Sequence, residues 1–345
     1  RLARPVCPLT GAPVSRAAWL LLGLIGASLI PLALGGREML EHVLAFPRDQ
    51  LLLMFGMICL CWLINAQKLR VLLNGRAGEI GKARSVGIIM ASEFAFYATP
   101  GGTGGPLTLM ALLARHGMRP AHSSAIFAVD QLSDLLFFLC ALAAVLVWAL
   151  SHSVSPNLET SLITSGVLLG GIFFGVVLLA RFQRRVITAN GRLLKRLGMK
   201  PRRRLHWARK CLHFRDTLVS CLRQPKRRLL LIFFFTCCHW TLRFSVLYIT
   251  LKALGVDLHW AWAFLIQLLS LAAGLATLLP GGAGGTELTS AALLAPLVGK
   301  STAAAAILIW RVVTYYFYLV MGAPVFAVMA GRPLLRKLIG LRERA

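Results

Sequence analysis

Two apolar stretches of this chain, residues 85–115 and 260–298, are each broken in the middle by a glycine run. The first break reads Pro100-Gly101-Gly102-Thr103-Gly104-Gly105-Pro106 and the second Pro280-Gly281-Gly282-Ala283-Gly284-Gly285. Glycine and proline at that density end a helix. The pieces flanking the first break, 85–99 and 107–115, are too short to cross about 30 Å of hydrocarbon. Yet the surroundings are those of a membrane. The chain is 57% hydrophobic and only 14% charged, against roughly 25% charged in soluble domains. Apolar blocks long enough to span occupy 17–35, 51–67, 122–150, 160–181, 229–252 and 301–330. The first exceeds a signal-peptide core and shows no small-residue cleavage site, so it reads as a retained span. Backbone freed from helix at membrane depth is tolerated only against protein or a polar cavity.

The placement of charge decides how the broken stretches run. The net charge is +26, and 32 of the 38 Lys and Arg residues fall in segments 1–16, 67–84, 115–121, 181–228 and 331–345. If both broken stretches turn back as hairpins, all five segments share one side, leaving Arg37, Arg48, Lys252 and Lys300 on the other. Single crossings would instead put the seventeen basic residues of 181–228 outside the cell, against the positive-inside rule. The hairpin reading places both termini in the cytoplasm of a bacterial inner (plasma) membrane. The 181–228 loop is either a plain topogenic segment or one that lies on anionic lipid headgroups. Its charge lacks the stacking aromatics of a nucleic-acid binder, so no nucleic-acid partner is expected.

The expected fold class is an all-α polytopic membrane protein, with six spanning helices plus two oppositely oriented re-entrant hairpins in an inverted-topology repeat. Residues 1–345 form one integral membrane domain, with 17–150 the first repeat and 160–330 the second. Gly117 follows Pro100 by 17 residues and Gly299 follows Pro280 by 19. Asp130 lies 30 after the first proline and Arg311 lies 31 after the second. Secondary transporters commonly use this plan, with the two breaks meeting near mid-membrane around the binding site.

Six ionisable side chains fall within the apolar stretches: Glu93, Asp130, Asp134, Arg243, Glu287 and Arg311. Each needs a partner or a wet cavity. Asp130 and Asp134 are four apart on one helix face, where two carboxylates disfavour each other's ionisation. Their matched repeat positions make Asp130 and Arg311 a candidate central pair, structural or substrate-contacting. His239 and Arg243 share a face. Glu287, at the start of a short helix, fits either a capping carboxylate or a site residue. Trp310, Tyr315, Tyr316 and Tyr318 read as packing and interfacial anchors. Cys59, Cys61, Cys140, Cys237 and Cys238 read as buried structural thiols without disulfide or metal spacing. No metal-ligand cluster, nucleophile elbow or GxxxxGK[ST] loop occurs, so no cofactor is expected.

With these motifs the chain resembles the lysylphosphatidylglycerol synthase transmembrane (flippase-like, UPF0104-type) family. The first matching block is Thr99-Pro100-Gly-Gly-Thr-Gly-Gly followed by Leu113, Arg115, Gly117, Ala125, Asp130 and Asp134. The second is Leu279-Pro280-Gly-Gly-Ala-Gly-Gly-Thr-Glu287 followed by Gly299, Ala304, Arg311 and Gly322. Pro106 stands where the family often has an acid, and Gln131 follows Asp130 where it often has Arg. The resemblance implies a lipid translocation domain with these residues near the lipid path. Bifunctional members add a cytosolic aminoacyl transferase domain. Only Arg332 to Ala345 follow the last span here, so transport without synthase activity is the expectation.

The leading expectation is therefore a flippase for a phospholipid, polyprenyl-linked glycolipid or related lipid. The alternatives are a membrane accessory protein that scaffolds a lipid-modifying enzyme and an intramembrane enzyme using Glu287 or Asp134 as acid or base. The expected translocation residues are Glu93, Pro100, Gly101, Gly102, Gly104, Gly105, Asp130, Asp134, Arg243, Pro280, Gly281, Gly282, Gly284, Gly285, Glu287 and Arg311. If the glycines floor a headgroup site, Gly102→Ala and Gly282→Ala should keep stability and lose lipid movement.

Overall fold

The computed structural model describes residues 16–74, 80–151, 171 and 225–339. The expected span 160–181, residue 171 apart, and all of the basic loop 181–228 before residue 225 lie outside them. Among the described residues every element is a helix. The first three are α1 Arg16–Leu44, α2 Arg48–Leu73 and α3 Lys82–Ala98; α4 Gly104–Ala114 and α5 Pro120–Ser151 follow. Then come α6 Lys226–Ala253, α7 Trp260–Ala276, α8 Gly285–Val298, α9 Lys300–Arg311 and α10 Phe317–Ile339.

Helix boundaries follow local chemistry. Proline stands just before α2 and α6, at Pro47 and Pro225, where its fixed φ suits a helix start. His259 caps α7 by accepting the Ala261 amide at 3.2 Å. Asn74 ends α2 in the left-handed conformation, a geometry asparagine tolerates. One π turn, Val312–Tyr316, joins α9 to α10 without a break in direction. α1 carries the expected span 17–35 and runs on through a kink at Gly36, where φ is 57°.

Among the described residues, four helical stretches are long and apolar enough to cross a membrane: Arg48–Leu73, Pro120–Val145, Lys226–Ala253 and Lys300–Met329. Their outward faces carry large apolar side chains, among them Leu52, Leu63, Phe234, Val320 and Val328. Such a surface suits lipid rather than water. Cys59 and Cys140 lie on these exposed faces while Cys61 is buried. The expectation of buried thiols therefore fails for the first two. Apolar neighbours in sequence do not say which way a helical residue points when lipid is as apolar as the core.

The main core draws on both halves of the chain, joining Trp62 and Tyr97 to Val246, Leu247, Ile266, Trp310, Tyr315 and Tyr318. Trp310, Tyr315 and Tyr318 are thus packed inside the bundle and are not interfacial anchors. α2 and α6 pack face to face. Around that pair the contacts match: α2 on α3 and α6 on α7; α4 on α5 and α8 on α9; α3 on α10 and α7 on α5. The glycine breaks meet, with Pro100 opposite Pro280 in an isolated antiparallel bridge.

Candidate functional site

The leading glycines of the two breaks have nearly the same backbone, while Leu278 and Gly284 add positive φ in the second alone. Gly101 and Gly102 have φ of 60° and 70°, and Gly281 and Gly282 have 63° and 66°. The Gly102 amide donates to the Thr99 carbonyl at 3.1 Å, and the Gly282 amide to the Leu279 carbonyl at 3.0 Å. The difference is in how each returning helix is capped. In the first break the Thr99 hydroxyl accepts the Gly104 amide at 2.7 Å. In the second, Leu279 has no such group, and Glu287 reaches back to accept the Gly284 amide at 2.7 Å. Its other oxygen accepts from Arg311 Nε at 2.5 Å, with both side chains almost fully buried. Arg311 Nη2 also donates to the Gly281 carbonyl at 2.9 Å, and its guanidinium lies 4.5 Å from the Tyr315 ring centre. The second break is therefore clamped from three sides by a neutral pair.

Seven residues after its proline the second break has Glu287, whereas the first has Leu107, which is 64% exposed. Asp130 stands at the position matching Arg311 and, being an acid, needs a cation as its partner. It is Lys68 of α2: Nζ lies 2.8 Å from Asp130 Oδ1 and 3.1 Å from Asp134 Oδ1. Lys68 also donates to Thr236 Oγ1 at 3.4 Å, and Ser133 lies 2.9 Å from that hydroxyl. The central pair expected from matched repeat positions is thus replaced by two separate centres. Asp130 joins Lys68, and Arg311 joins Glu287.

Lys68 is 4% exposed, although its sequence position suggested a basic loop. α2 continues six residues beyond the expected end of the span at 67 and carries Lys68 inward. No periodicity marks this residue. Only its spacing of three and six from Asn65 and Trp62, which face the same centre, offered a signal.

A cavity of about 170 Å³ opens beside Lys68, between α2, α3, α4 and α5. Asn65, Glu93, Asp130 and Gln131 supply its polar wall, and Phe96, Leu109 and Ile126 its apolar one. Of the expected site residues, Glu93, Gly105 and Asp130 line it, and Asp134 lies one turn along from Asp130. Glu93 accepts from Trp62 Nε1 at 2.7 Å and Asn65 Nδ2 at 3.2 Å. Arg243 sits behind, donating to the hydroxyls of Tyr318 at 2.6 Å and of Tyr97. The Tyr318 ring centre is 4.9 Å from its guanidinium carbon. Buried His239 approaches Asn65 Nδ2 at 3.5 Å. Tyr97, Asn65 and Lys68 are polar members of this region that the sequence does not single out, and Tyr318 reads there only as a packing or interfacial anchor.

Gly105 lines the cavity, but at Gly102, Gly104, Gly281, Gly282 and Gly285 the space a headgroup would need is filled by protein. A Cβ on Gly282 would lie 2.9 Å from the Gly274 Cα and from Thr286 Oγ1, and one on Gly281 would enter the Tyr315 ring. On Gly104 it would meet the Ala95 carbonyl oxygen at 2.5 Å. On Gly102 it would strike the Phe96 ring. On Gly285 it would meet the Ala273 carbonyl oxygen at 2.8 Å. The space is taken by protein, so these glycines permit close helix packing, at positive φ for Gly102, Gly281 and Gly282. Gly282→Ala meets backbone that cannot swing aside, which removes the expected separation of stability from lipid movement. Gly284, at φ 81°, has room but a strained conformation for any other residue.

The family model described as the Lysylphosphatidylglycerol synthase TM region matches residues 19–322, a range that holds both charged centres and both breaks. A UPF0104 membrane protein of Archaeoglobus fulgidus is 24% identical over 267 residues, covering 76% of this chain and 81% of the relative.

Proposed function

Because the chain belongs to the lysylphosphatidylglycerol synthase transmembrane family, we propose that it moves a lipid across the membrane, its headgroup passing through the cavity beside Lys68. The observation that carries this reading is the cavity's two-sided chemistry. Its inner wall is polar and charged, while Phe96 (37% exposed) forms part of its wall and Leu107 (64% exposed) lies close by on α4. A headgroup can rest on the polar wall while its chains stay in hydrocarbon. The chain acts as a transporter and not as a synthase. Its partners are membrane lipids, with anionic lipid at the basic loop 181–228, and a lipid-modifying enzyme is a natural source of cargo.

The architecture in this reading is six spans and two re-entrant helix pairs, α3–α4 and α7–α8, in oppositely oriented repeats. The matched break geometry, the paired packing around α2 and α6, and the bridge between Pro100 and Pro280 support it. Both termini then face the cytoplasm of a bacterial inner membrane. In a background freed of native cysteines, Asp257→Cys should react with an impermeant maleimide applied to intact cells, and Arg119→Cys only after lysis. Labelling of position 119 from outside removes the inverted arrangement.

The functional test is leaflet exchange in vesicles holding the purified full chain and fluorescent phospholipid or polyprenyl-linked probes. Wild-type protein should speed exchange over protein-free vesicles. Gln131→Trp, which fills the cavity from an exposed position and replaces no member of either ion pair, should return it to background. Correct labelling with no exchange for any probe would favour an accessory protein that scaffolds an enzyme.

A further inference from the structure

The cavity wall and the groups behind it carry a charge imbalance. Three carboxylates, Glu93, Asp130 and Asp134, face two cations, Lys68 and Arg243. Glu93 is satisfied by the neutral donors Trp62 and Asn65, and Arg243 by two phenols. The surplus negative charge therefore rests on the two aspartates that share one ammonium. The second centre adds nothing, since Glu287 and Arg311 cancel. An unneutralised charge at membrane depth calls for a counter-charge.

What can supply it is limited by space. A metal cation needs several oxygens around it, and a substrate ammonium needs the same carboxylates. The position between Asp130 and Asp134 is already filled by Lys68 Nζ, at 2.8 and 3.1 Å. A proton needs no added room. Lys68 holds Asp130 more closely, and Asp130 lines the cavity with 25% of its side chain exposed, against 14% for Asp134. The less closely paired and more buried acid is the one for which charge is costliest.

We propose that the Lys68–Asp130–Asp134 cluster is a proton-binding site in which Asp134 takes up one proton from the cavity, with Asp130 at its entrance. The carboxylate gains H⁺ and becomes a neutral carboxylic acid, while Asp130 stays paired with Lys68. The Thr236 hydroxyl, shared with Ser133 and Lys68, completes the polar surroundings. Other titratable groups on the surrounding elements include Cys59, Cys61 and Arg70 on α2, Glu93 and Tyr97 on α3, His122 and Cys140 on α5 itself, and Cys237, Cys238, His239 and Arg243 on α6. α4 and α7 carry none. That such a proton accompanies lipid movement rests on the proposed function; the binding itself does not.

Infrared difference spectra of the full chain in vesicles, recorded during a pH titration, test this without any lipid assay. A protonated-carboxyl C=O band, shifted in D₂O, should appear on acidification, vanish in Asp134→Asn and persist in Glu93→Gln and His239→Gln. Thr236→Val, a near-isosteric change, should shift the band if Asp134→Asn fails to fold. Replacing sodium with choline should leave it unchanged. Absence of the band in wild type, its survival in Asp134→Asn, its loss in Glu93→Gln, indifference to Thr236→Val, or its suppression by sodium would each overturn the proposal. A band in a protein that moves no lipid refutes transport alone, and lipid movement without a band refutes the proton site alone.

Discussion

Lys68→Met should be among the most destabilising single substitutions in the chain, by about 3–5 kcal/mol, the range for breaking a buried ion pair. The ammonium is the only cation within ion-pair distance of Asp130 and Asp134 among the described residues. Methionine fills the volume of the side chain but leaves two acids and the Thr236 hydroxyl facing an apolar group. A lysine in a solvated basic loop would instead tolerate the change within about 0.5 kcal/mol. Equilibrium unfolding in mixed micelles separates the two. Adding Asp130→Asn and Asp134→Asn to Lys68→Met should regain most of the loss, because neutral amides remove the stranded charge. A wild-type unfolding midpoint for Lys68→Met would mean the cluster is solvated and does not organise the cavity.

That Lys68 escaped detection in the sequence has a physical cause. The five basic residues of 67–84 read as one loop, so the expected span stops at 67, whereas helix hydrogen bonding continues to Leu73. Features that depend on near neighbours were legible: the breaks at Pro100 and Pro280, the short helices around them, and Glu287 as a capping carboxylate. The meeting of the breaks, expected from the matched glycine runs, is seen in the Pro100–Pro280 bridge. Partnerships across long separations were not legible. Matched positions relate Asp130 to Arg311, but they do not show that Thr99 caps one break and Glu287 the other. Nor do they show that Asp130 pairs with Lys68 of α2 while Arg311 pairs with Glu287 of α8. Gly102, Gly281 and Gly282 do not form a floor, because Phe96, Tyr315 and Gly274 already fill the space beside them, which sequence cannot show, whereas Gly105 does line the cavity.

The pairing of Arg311 is where sequence symmetry and structure make opposite predictions. Glu287→Gln and Arg311→Gln should each cost about 3–5 kcal/mol, since either leaves a buried charge without its counter-ion. Arg311→Gln also removes the donor to the Gly281 carbonyl, and Glu287→Gln weakens the cap on the Gly284 amide. The double variant Glu287→Gln with Arg311→Gln should lose much less than the two singles together, the signature of direct coupling in a double-mutant cycle. Asp130→Asn with Arg311→Gln should instead be additive within about 0.5 kcal/mol, as expected for residues with separate partners. The charge swap is sharper still. If Asp130 and Arg311 faced each other, Asp130→Arg with Arg311→Asp would restore the pair. In this structure the swap places an arginine beside Lys68 and an aspartate beside Glu287, so two buried attractions become two buried repulsions. That variant should fail to yield folded protein by fluorescence-detected gel filtration even where both neutral singles survive. Recovery of a folded, monodisperse swap variant would return Asp130 and Arg311 to a common centre and remove the two-centre description of the site.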